Sequence, residues 1–387
     1  MTLVYLLAGE HSGDVLGARL MAALRRRAPG LEFAGIGGPR MAALGFETLF
    51  PMHDLAVMGL VEVLPRLGLL RRRMREAVAD IAARRPDVVV TIDSPGFALR
   101  LLRRISPLGL KRVHYVAPQV WAWRESRVRR FPGLWDRLLC LLPFEPDYFA
   151  QFGLESAFVG HPVLESGADQ GDAAGFRARH ALGPEARVVI LMPGSRSSEA
   201  RRLLPVYGRA LALLAERVPD LVAVVPAAGA VAETVRAAAA DWPLRPLVLT
   251  ELGEKHDAFA AAAAALTKSG TSTLELALAG VPMAVTYRVN PLTGAIARRL
   301  IRVPHVAMVN LLAGREIVPE LLQQDCTPAT LAATLARLIG DDAVAAAQRA
   351  AFRAVLATLR PPAGLPSEAA AHAVLDVLAA PAPSRQA

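Results

Sequence analysis

The sequence predicts an α/β protein built from two doubly wound, Rossmann-like domains. Short apolar or β-branched runs alternate with helical patterns along the chain, which is how parallel sheets wrapped by helices read. A polar, glycine-containing stretch from Ser166 to Asp172 interrupts that alternation and reads as a linker. A chain of 387 residues is long enough for two domains with separate cores. The expected boundaries are residues 1–165 and 166–341, followed by C-terminal helices over 342–387 that cross back to the first domain.

Taken in order, the first domain offers strands at Leu3–Leu7, Glu32–Gly35, Asp87–Ile92, Val113–Val116, Leu138–Leu142 and Ala157–Val159. The second offers Val188–Met192, Leu221–Val225, Leu247–Leu249, Ala264–Lys268 and Met283–Thr286. Helical segments continue after Asp342 to Ala380, with a break at Pro361-Pro362, and the residues from Pro381 onward read as a frayed tail. Doubly wound sheets hold ligands outside the carboxyl ends of their strands, so a cleft between two facing domains is the expected site.

Composition narrows the function. Hydrophobic residues make up 53% of the chain and mean hydropathy is +0.33. Yet no uninterrupted apolar run approaches the roughly 18 residues that a spanning helix needs. Leu3–Leu7 is too short for a signal peptide and lacks a basic flank, which points to the cytoplasm. Net charge is +9, almost all of it arginine, with lysine only at positions 111, 255 and 268. Such an excess suits an acidic partner: nucleic acid, anionic lipid or a phosphorylated substrate. Cys140 and Cys326 lie far apart in apolar surroundings and form no metal or disulfide pattern; the histidines show no ligand spacing and no Asp-x-Asp pair occurs. A metal is therefore not expected, nor is any cofactor, and a diphosphate would have to be neutralised without a carboxylate-held ion.

The most informative stretch is Ser269-Gly270-Thr271-Ser272-Thr273-Leu274-Glu275, between an apolar strand and a helical pattern ending at Gly280. A small-residue turn at a helix start leaves outward-pointing N–H groups with the positive helix end behind them, a phosphate or pyrophosphate site. It is not a Walker loop, because the upstream glycines are missing. Ser272 and Glu275 also fit a capping box, which would explain both residues without any ligand. A second such turn, Pro193-Gly194-Ser195-Arg196, follows Val188–Met192, and Arg196 is placed to give a phosphate two hydrogen bonds. Two turns of this kind in one domain suggest a nucleotide diphosphate crevice.

In the first domain, Ala8-Gly9-Glu10-His11-Ser12-Gly13-Asp14 follows the first strand, displaying Glu10 and His11 from a turn that its glycines keep tight. Asp93 ends the strand Asp87–Ile92 and precedes Ser94-Pro95; it either supports the helix start or takes a proton from a hydroxyl. Val120-Trp121-Ala122-Trp123-Arg124, followed by Arg127, Arg129 and Arg130, suits stacked bases, an anionic bilayer or a core helix with a solvated face. Met58, Leu60, Val61, Val63, Leu64, Leu67 and Leu70 form an apolar run that ends abruptly in Arg71, Arg72, Arg73 and Arg75. Acyl-chain or membrane contact is the preferred reading of that run.

Together these residues resemble the lipid-A-disaccharide synthase family, glycosyltransferases of the GT-B fold. The matching pieces include Gly9-Glu10-His11-Ser12-Gly13-Asp14, Met58-Gly59-Leu60-Val61-Glu62, Asp93-Ser94-Pro95, Val120-Trp121-Ala122-Trp123-Arg124, Leu142-Pro143-Phe144-Glu145, Gly160-His161-Pro162, Pro193-Gly194-Ser195-Arg196, Ser269-Gly270-Thr271 and Asn310-Leu311-Leu312-Ala313-Gly314-Arg315-Glu316. They run in order across nearly the whole chain. The resemblance implies transfer of diacylglucosamine from UDP-2,3-diacylglucosamine to the 6-hydroxyl of 2,3-diacylglucosamine 1-phosphate. The product is an inverted, β-1,6-linked disaccharide phosphate plus UDP, made at the anionic surface of the inner membrane. By motif, Asp93 is then the general base and Glu10 supports the acceptor side. Arg196, Glu275 and Asn310 bind the donor, with Ser269, Gly270, Thr271 and Ser272 forming its turn. One departure is Gly96, where many members carry a second acid, so that Asp93 is the one carboxylate of its turn. Two other readings stay open: a UDP-N-acetylglucosamine 2-epimerase, which would share the diphosphate turns, and a basic nucleic-acid-binding protein, which would leave them without purpose. Under the family reading no nucleic acid is a partner, and the oligomeric state, a homodimer included, is open.

Overall fold

The computed structural model describes residues 1–55, 60–123, 125–227, 229–290 and 303–381, with the side chains of 60–65 and 230 outside that description. The chain divides into two compact units, Met1–Pro162 with Leu359–Ala387, and Val163–Thr358.

The first unit holds β1 (Thr2–Ala8), α1 (His11–Arg27), β2 (Leu31–Ile36), α2 (Pro39–Ala42), α3 (Leu60–Arg84), β3 (Val88–Ile92), α4 (Pro95–Ile105), β4 (Lys111–Tyr115), β5 (Arg137–Cys140), α5 (Glu145–Ala150) and β6 (Ser156–Phe158). Its strands pair in parallel in the order β2-β1-β3-β4-β5-β6. Strand β3 is buried along its whole length, the continuous apolar run that a parallel strand covered on both faces requires. From β1 the chain steps outward to β2, then returns past β1 to β3 and on to β6, so the topological switch point lies between β1 and β3.

The second unit holds α6 (Ala173–Arg179), β7 (Arg187–Met192), α7 (Ser197–Ala215), β8 (Leu221–Pro226), α8 (Ala230–Ala239), β9 (Leu247–Leu249), α9 (Leu252–Ala261), β10 (Ala262–Lys268), α10 (Ser272–Leu278), β11 (Met283–Tyr287), α11 (Met308–Ala313), β12 (Glu320–Leu322), α12 (Pro328–Gly340) and α13 (Asp342–Thr358). The sheet order is β12-β11-β10-β7-β8-β9, again all parallel, with the switch point between β7 and β10. Strand β12 is absent from the sequence reading. It is three residues long like β6 and β9, but it opens on a glutamate and lacks a wholly apolar run.

The helices after Asp342 divide between the units. In α13, Gln348 is buried and accepts from Met283 N at 2.8 Å while donating to Met283 O at 3.1 Å, which ties this helix to β11. The last helix, α14 (Pro366–Ala379), instead lays Ala370, Ala371, Val374 and Val377 into the same core cluster as Leu16, Leu20, Met21 and Leu24 of α1. Lys111 Nζ donates to the carbonyls of Leu378 and Ala380, both at 2.6 Å, and so closes the C-terminal end of α14 with a cation. The stretch 166–172 is packed rather than loose: Asp172 N donates to Asp257 Oδ1 at 2.7 Å, and a Cβ on Gly171 would stand 2.0 Å from the His256 carbonyl.

The apolar-then-arginine run is only partly described. Met58 and the side chains of Leu60, Val61, Val63 and Leu64 lie outside the described residues, as does Arg124. Within the rest, Leu67 and Leu70 are half-buried, and Leu70 packs against the first unit's core with Met74, Ala77 and Ile81. Arg73 does not belong to an exposed rim. Its guanidinium donates to Asp54 Oδ2 (2.8 and 2.7 Å) and Glu76 Oε2 (2.7 Å) and sits 4.7 Å from the Phe50 ring centre. Arg71, Arg72 and Arg75 remain exposed. Among the described residues no helix is long and apolar enough to cross a membrane.

Candidate functional site

At the first switch point, β1 and β3 deliver Glu10 and Asp93. Asp93 and Ser94 both hold positive φ, 52° and 51°, and Val116 at the end of neighbouring β4 has φ 79°. Two non-glycine residues in succession in the left-handed region, with a β-branched third beside them, are backbone conformations that cost energy and cluster at functional sites. The Asp93 amide donates to Tyr115 O at 2.9 Å, so the turn is anchored by its backbone while the carboxylate stays half-exposed. Ser12 Oγ reaches Asp93 Oδ2 at 3.4 Å, a long contact. Glu10 is the N-cap residue of α1 and is half-buried. Gly9 is required by proximity rather than by its backbone angle: a Cβ there would stand 2.3 Å from Ser94 Oγ.

Other members of the quoted motifs support these turns. Asp14 is fully buried, and its carboxylate accepts from the amides of Gly38 (2.9 Å), Arg40 (2.9 Å) and Met41 (3.1 Å), binding α1 to the start of α2. Glu145 is likewise buried; Oε2 accepts from Leu141 N and Leu142 N, both 3.0 Å, and Oε1 from Trp121 Nε1 at 3.1 Å. Burial pushes its carboxyl up to about 7, against the opposing pull of those three donors. Trp121 also meets Phe144 edge-on, with ring centres 5.0 Å apart, while Trp123 is exposed. The Trp-Ala-Trp segment is thus a loop pinned by a buried acid, and not a core helix.

At the second switch point, the turns after β7 and β10 are the two anion-suited turns of the sequence. Arg196 is the N-cap residue of α7, with a half-exposed side chain. Its NH1 donates to Glu199 Oε1 at 3.0 Å, and Lys268 Nζ meets the same oxygen at 3.1 Å. Gly194, at φ 116°, lies against this carboxylate: a Cβ would stand 2.6 Å from Glu199 Oε2. Arg196, Glu199, Lys268, Tyr287 and Arg288 line a cavity of about 190 Å³. Neither Glu199 nor Lys268 stood out in the sequence as part of a site; the clue was that both sit within a turn of residues that did.

The capping-box reading of Ser272 and Glu275 does not hold, because the N-cap of α10 is Thr271 and it makes no side-chain cap. Ser272 Oγ turns inward, 2.9 Å from Thr267 Oγ1 and 3.3 Å from Lys268 O, whereas Glu275 Oε2 accepts from Lys255 Nζ at 2.8 Å. Gly270 and Thr271 form the exposed part of the turn. Ser269 Oγ donates to Val306 O at 2.7 Å. Asn310 is fully buried: its Oδ1 accepts from Ile317 N (2.8 Å) and Val318 N (2.9 Å), and its Nδ2 donates to Val318 O and Glu320 Oε1, both 2.9 Å. That spends the bonding capacity of the amide inside the protein. The structure thus divides the seven predicted donor-side residues. Arg196, Gly270 and Thr271 are exposed, Glu275 is paired with Lys255, and Ser269, Ser272 and Asn310 are bonded within the protein.

The sequence profile described as lipid-A-disaccharide synthetase matches residues 4–374. The lipid-A-disaccharide synthases of Granulibacter bethesdensis and Gluconobacter oxydans are each 64% identical to this chain, covering 97% of it and 98% of the first, and 98% of it and 91% of the second. That of Pseudomonas aeruginosa is 45% identical, covering 97% of this chain and 98% of its own. Among solved structures, the UDP-N-acetylglucosamine 2-epimerase of Neisseria meningitidis bound to UDP-N-acetylglucosamine aligns with a TM-score of 0.64 at 11% identity, covering 98% of this chain and 99% of that one. The calicheamicin glycosyltransferase CalG4 aligns at 0.59 and 20% identity, covering 98% and 100%. At such identities the structural likeness speaks for the fold, two Rossmann-like domains of the GT-B class, and not for the reaction. The reaction follows from the sequence relatives, and it excludes the epimerase and nucleic-acid readings: the chain belongs to the lipid-A-disaccharide synthase family of glycosyltransferases.

Proposed function

We propose that the family reaction is divided between the two switch points. The acceptor is 2,3-diacylglucosamine 1-phosphate, and Asp93 takes the proton from its 6-hydroxyl as that oxygen attacks the anomeric carbon of UDP-2,3-diacylglucosamine. A single displacement inverts the centre and passes through an oxocarbenium-like state, in which the leaving diphosphate gains charge. Arg196, Lys268 and the amides of the Gly270-Thr271 turn meet that charge, and Glu275 accepts from the ribose hydroxyls. Arg196 and Lys268 are the protein cations placed to meet that charge. Glu10 supports the acceptor sugar from the N-terminal end of α1.

The observation that carries this division is the contrast in charge: half-exposed carboxylate on strained backbone at the end of β3, paired cations beside an exposed glycine turn at the ends of β7 and β10. The direct test supplies purified protein with both acylated substrates and weighs the products. A tetraacyl disaccharide phosphate and UDP in equal amounts are expected; release of free sugar without the disaccharide would overturn the acceptor assignment.

The acyl substrates are collected at an anionic membrane surface, inner membrane in a cell, by exposed Arg71, Arg72 and Arg75 on α3. Each is worth on the order of 1 kcal/mol near such a surface. Changing these three to serine should reduce sedimentation with phosphatidylglycerol vesicles and slow turnover of vesicle-borne substrate, with little effect on detergent-dispersed substrate. Vesicle binding that ignores both the substitutions and added salt would remove the membrane from this part of the reading.

A further inference from the structure

A half-buried residue outside every motif quoted above holds the donor turn in place through its carboxylate. Glu320, the first residue of β12, has a side chain only 9% exposed. Its Oε1 accepts from Val306 N (3.1 Å), Ala307 N (2.9 Å) and Asn310 Nδ2 (2.9 Å), and its Oε2 from Val306 N at 3.0 Å. His305 Nδ1 stands 3.8 Å from Oε1. The peptide held in this way is the one whose carbonyl, Val306 O, accepts the Ser269 hydroxyl at 2.7 Å. On the other side Asn310 carries the linkage into the backbone of Ile317 and Val318. Glu320 itself is fixed by its strand, which pairs Glu320 with Val285 of β11 beside β10.

We infer that Glu320 is a positioning residue for the donor nucleotide: through the Val306–Ala307 peptide it sets where Ser269 anchors the Gly270-Thr271 turn. The inference rests on that turn being the diphosphate site. An ionised carboxylate is the side chain this junction needs. It offers acceptors only, on two oxygens, to donors that converge from a backbone pair and a side-chain amide. Glutamine has the same shape but places an NH₂ group among N–H donors, so the junction must open or turn. Aspartate is one methylene too short to span from the strand.

Glu320→Gln is expected to raise the donor KM and weaken UDP binding together, on the order of tenfold. The acceptor KM should stay within twofold and kcat at saturating donor within about threefold, a split that general loss of folded protein would not produce. Amide hydrogen exchange at Thr273 and Leu274, whose N–H groups bond to the carbonyls of Gly270 and Thr271, should quicken. Ser269→Ala, which removes only the link to Val306, should reproduce part of the donor effect, and the double variant should cost less than the product of the two singles. If Glu320→Gln does not fold, Ser269→Ala alone decides. An unchanged donor KM and unchanged exchange at Thr273 and Leu274 in the soluble variant overturn the inference. Wild-type protein that binds no UDP overturns the donor-site reading instead; the exchange measurement then still reports whether Glu320 holds the turn.

Discussion

At the carboxyl end of the first sheet, the Asp93 carboxylate stands on a backbone bent through the left-handed region at Asp93 and Ser94. At the same end of the second sheet, Arg196 and Lys268 share one carboxylate oxygen of Glu199 beside an exposed glycine turn. The two sheets are both parallel and each has its switch point between its first strand and the strand that begins the return. Topology therefore supplies two equivalent places for a ligand, and a handful of turn residues decides which sign of charge each receives. In the first, a strained backbone carries a half-exposed carboxylate. In the second, small exposed residues stand beside two cations.

Removing the acceptor should break this contrast most sharply. Asp93→Asn keeps the shape of the turn but cannot take a proton, so kcat should fall by roughly two to four orders of magnitude. UDP affinity should stay within about threefold if the nucleotide is read by the second unit as proposed. Retention of a third or more of wild-type turnover would remove Asp93 from the role of base.

On the other side, Arg196→Ala should lower kcat/KM for the donor by roughly a hundredfold, and Lys268→Ala by less, since the diphosphate carries charge both before and during departure. Because both cations contact Glu199 Oε1, the effects of the two substitutions should be non-additive. Independent, fully additive losses in a double-mutant cycle would show that the pair does not act as a unit.

The strained turn has a mechanical weakness at Gly9. Gly9→Ala drives a methyl to within 2.3 Å of Ser94 Oγ, next to Asp93. A stability loss of about 1–3 kcal/mol is expected, the scale of overpacking, with a lower kcat as Ser94 shifts. Denaturant unfolding checks the first and steady-state kinetics the second; an alanine variant equal to wild type in both would mean that Ser94 moves freely.

The smallest effect concerns pH. The folded state holds the Glu145 carboxyl at about 7, above its ordinary 4.5, so between those values the folded state binds more protons than the unfolded. Its contribution to stability therefore falls as pH rises from about 4.5 to 7 and is level above that. Buried His114 and His161 are held down to about 4, and they contribute the opposite slope, stability falling as pH drops from 6.5 towards 4. The difference between wild type and Glu145→Gln isolates the first term. That difference should shift steadily in favour of the glutamine variant as pH rises from 5 to 7, with Trp121 fluorescence reporting the loop; a pH-independent difference would show that Glu145 does not titrate in this window.

The fold and the class of chemistry were legible in the chain because both rest on local signals. Buried parallel strands read as apolar runs of three to seven residues, and anion turns read as Gly, Ser and Thr between such a run and a helix. Strand β12 escaped because pairing with β11, not its own composition, makes it a strand. What the tertiary structure alone decided is how each motif side chain is employed. Ser272 and Glu275 have the spacing of a capping box, yet one turns to Thr267 and the other to Lys255. Asn310 has the look of a ligand contact and is consumed by residues 317–320, while Arg73 sits in a basic run and is held by Asp54, far away in the chain. The order of residues determined which groups are present and which turns can hold an anion. Folding determined which donors and acceptors are satisfied within the protein, because a buried polar group must find a partner wherever the packed chain brings one, and that partner is rarely its neighbour in sequence.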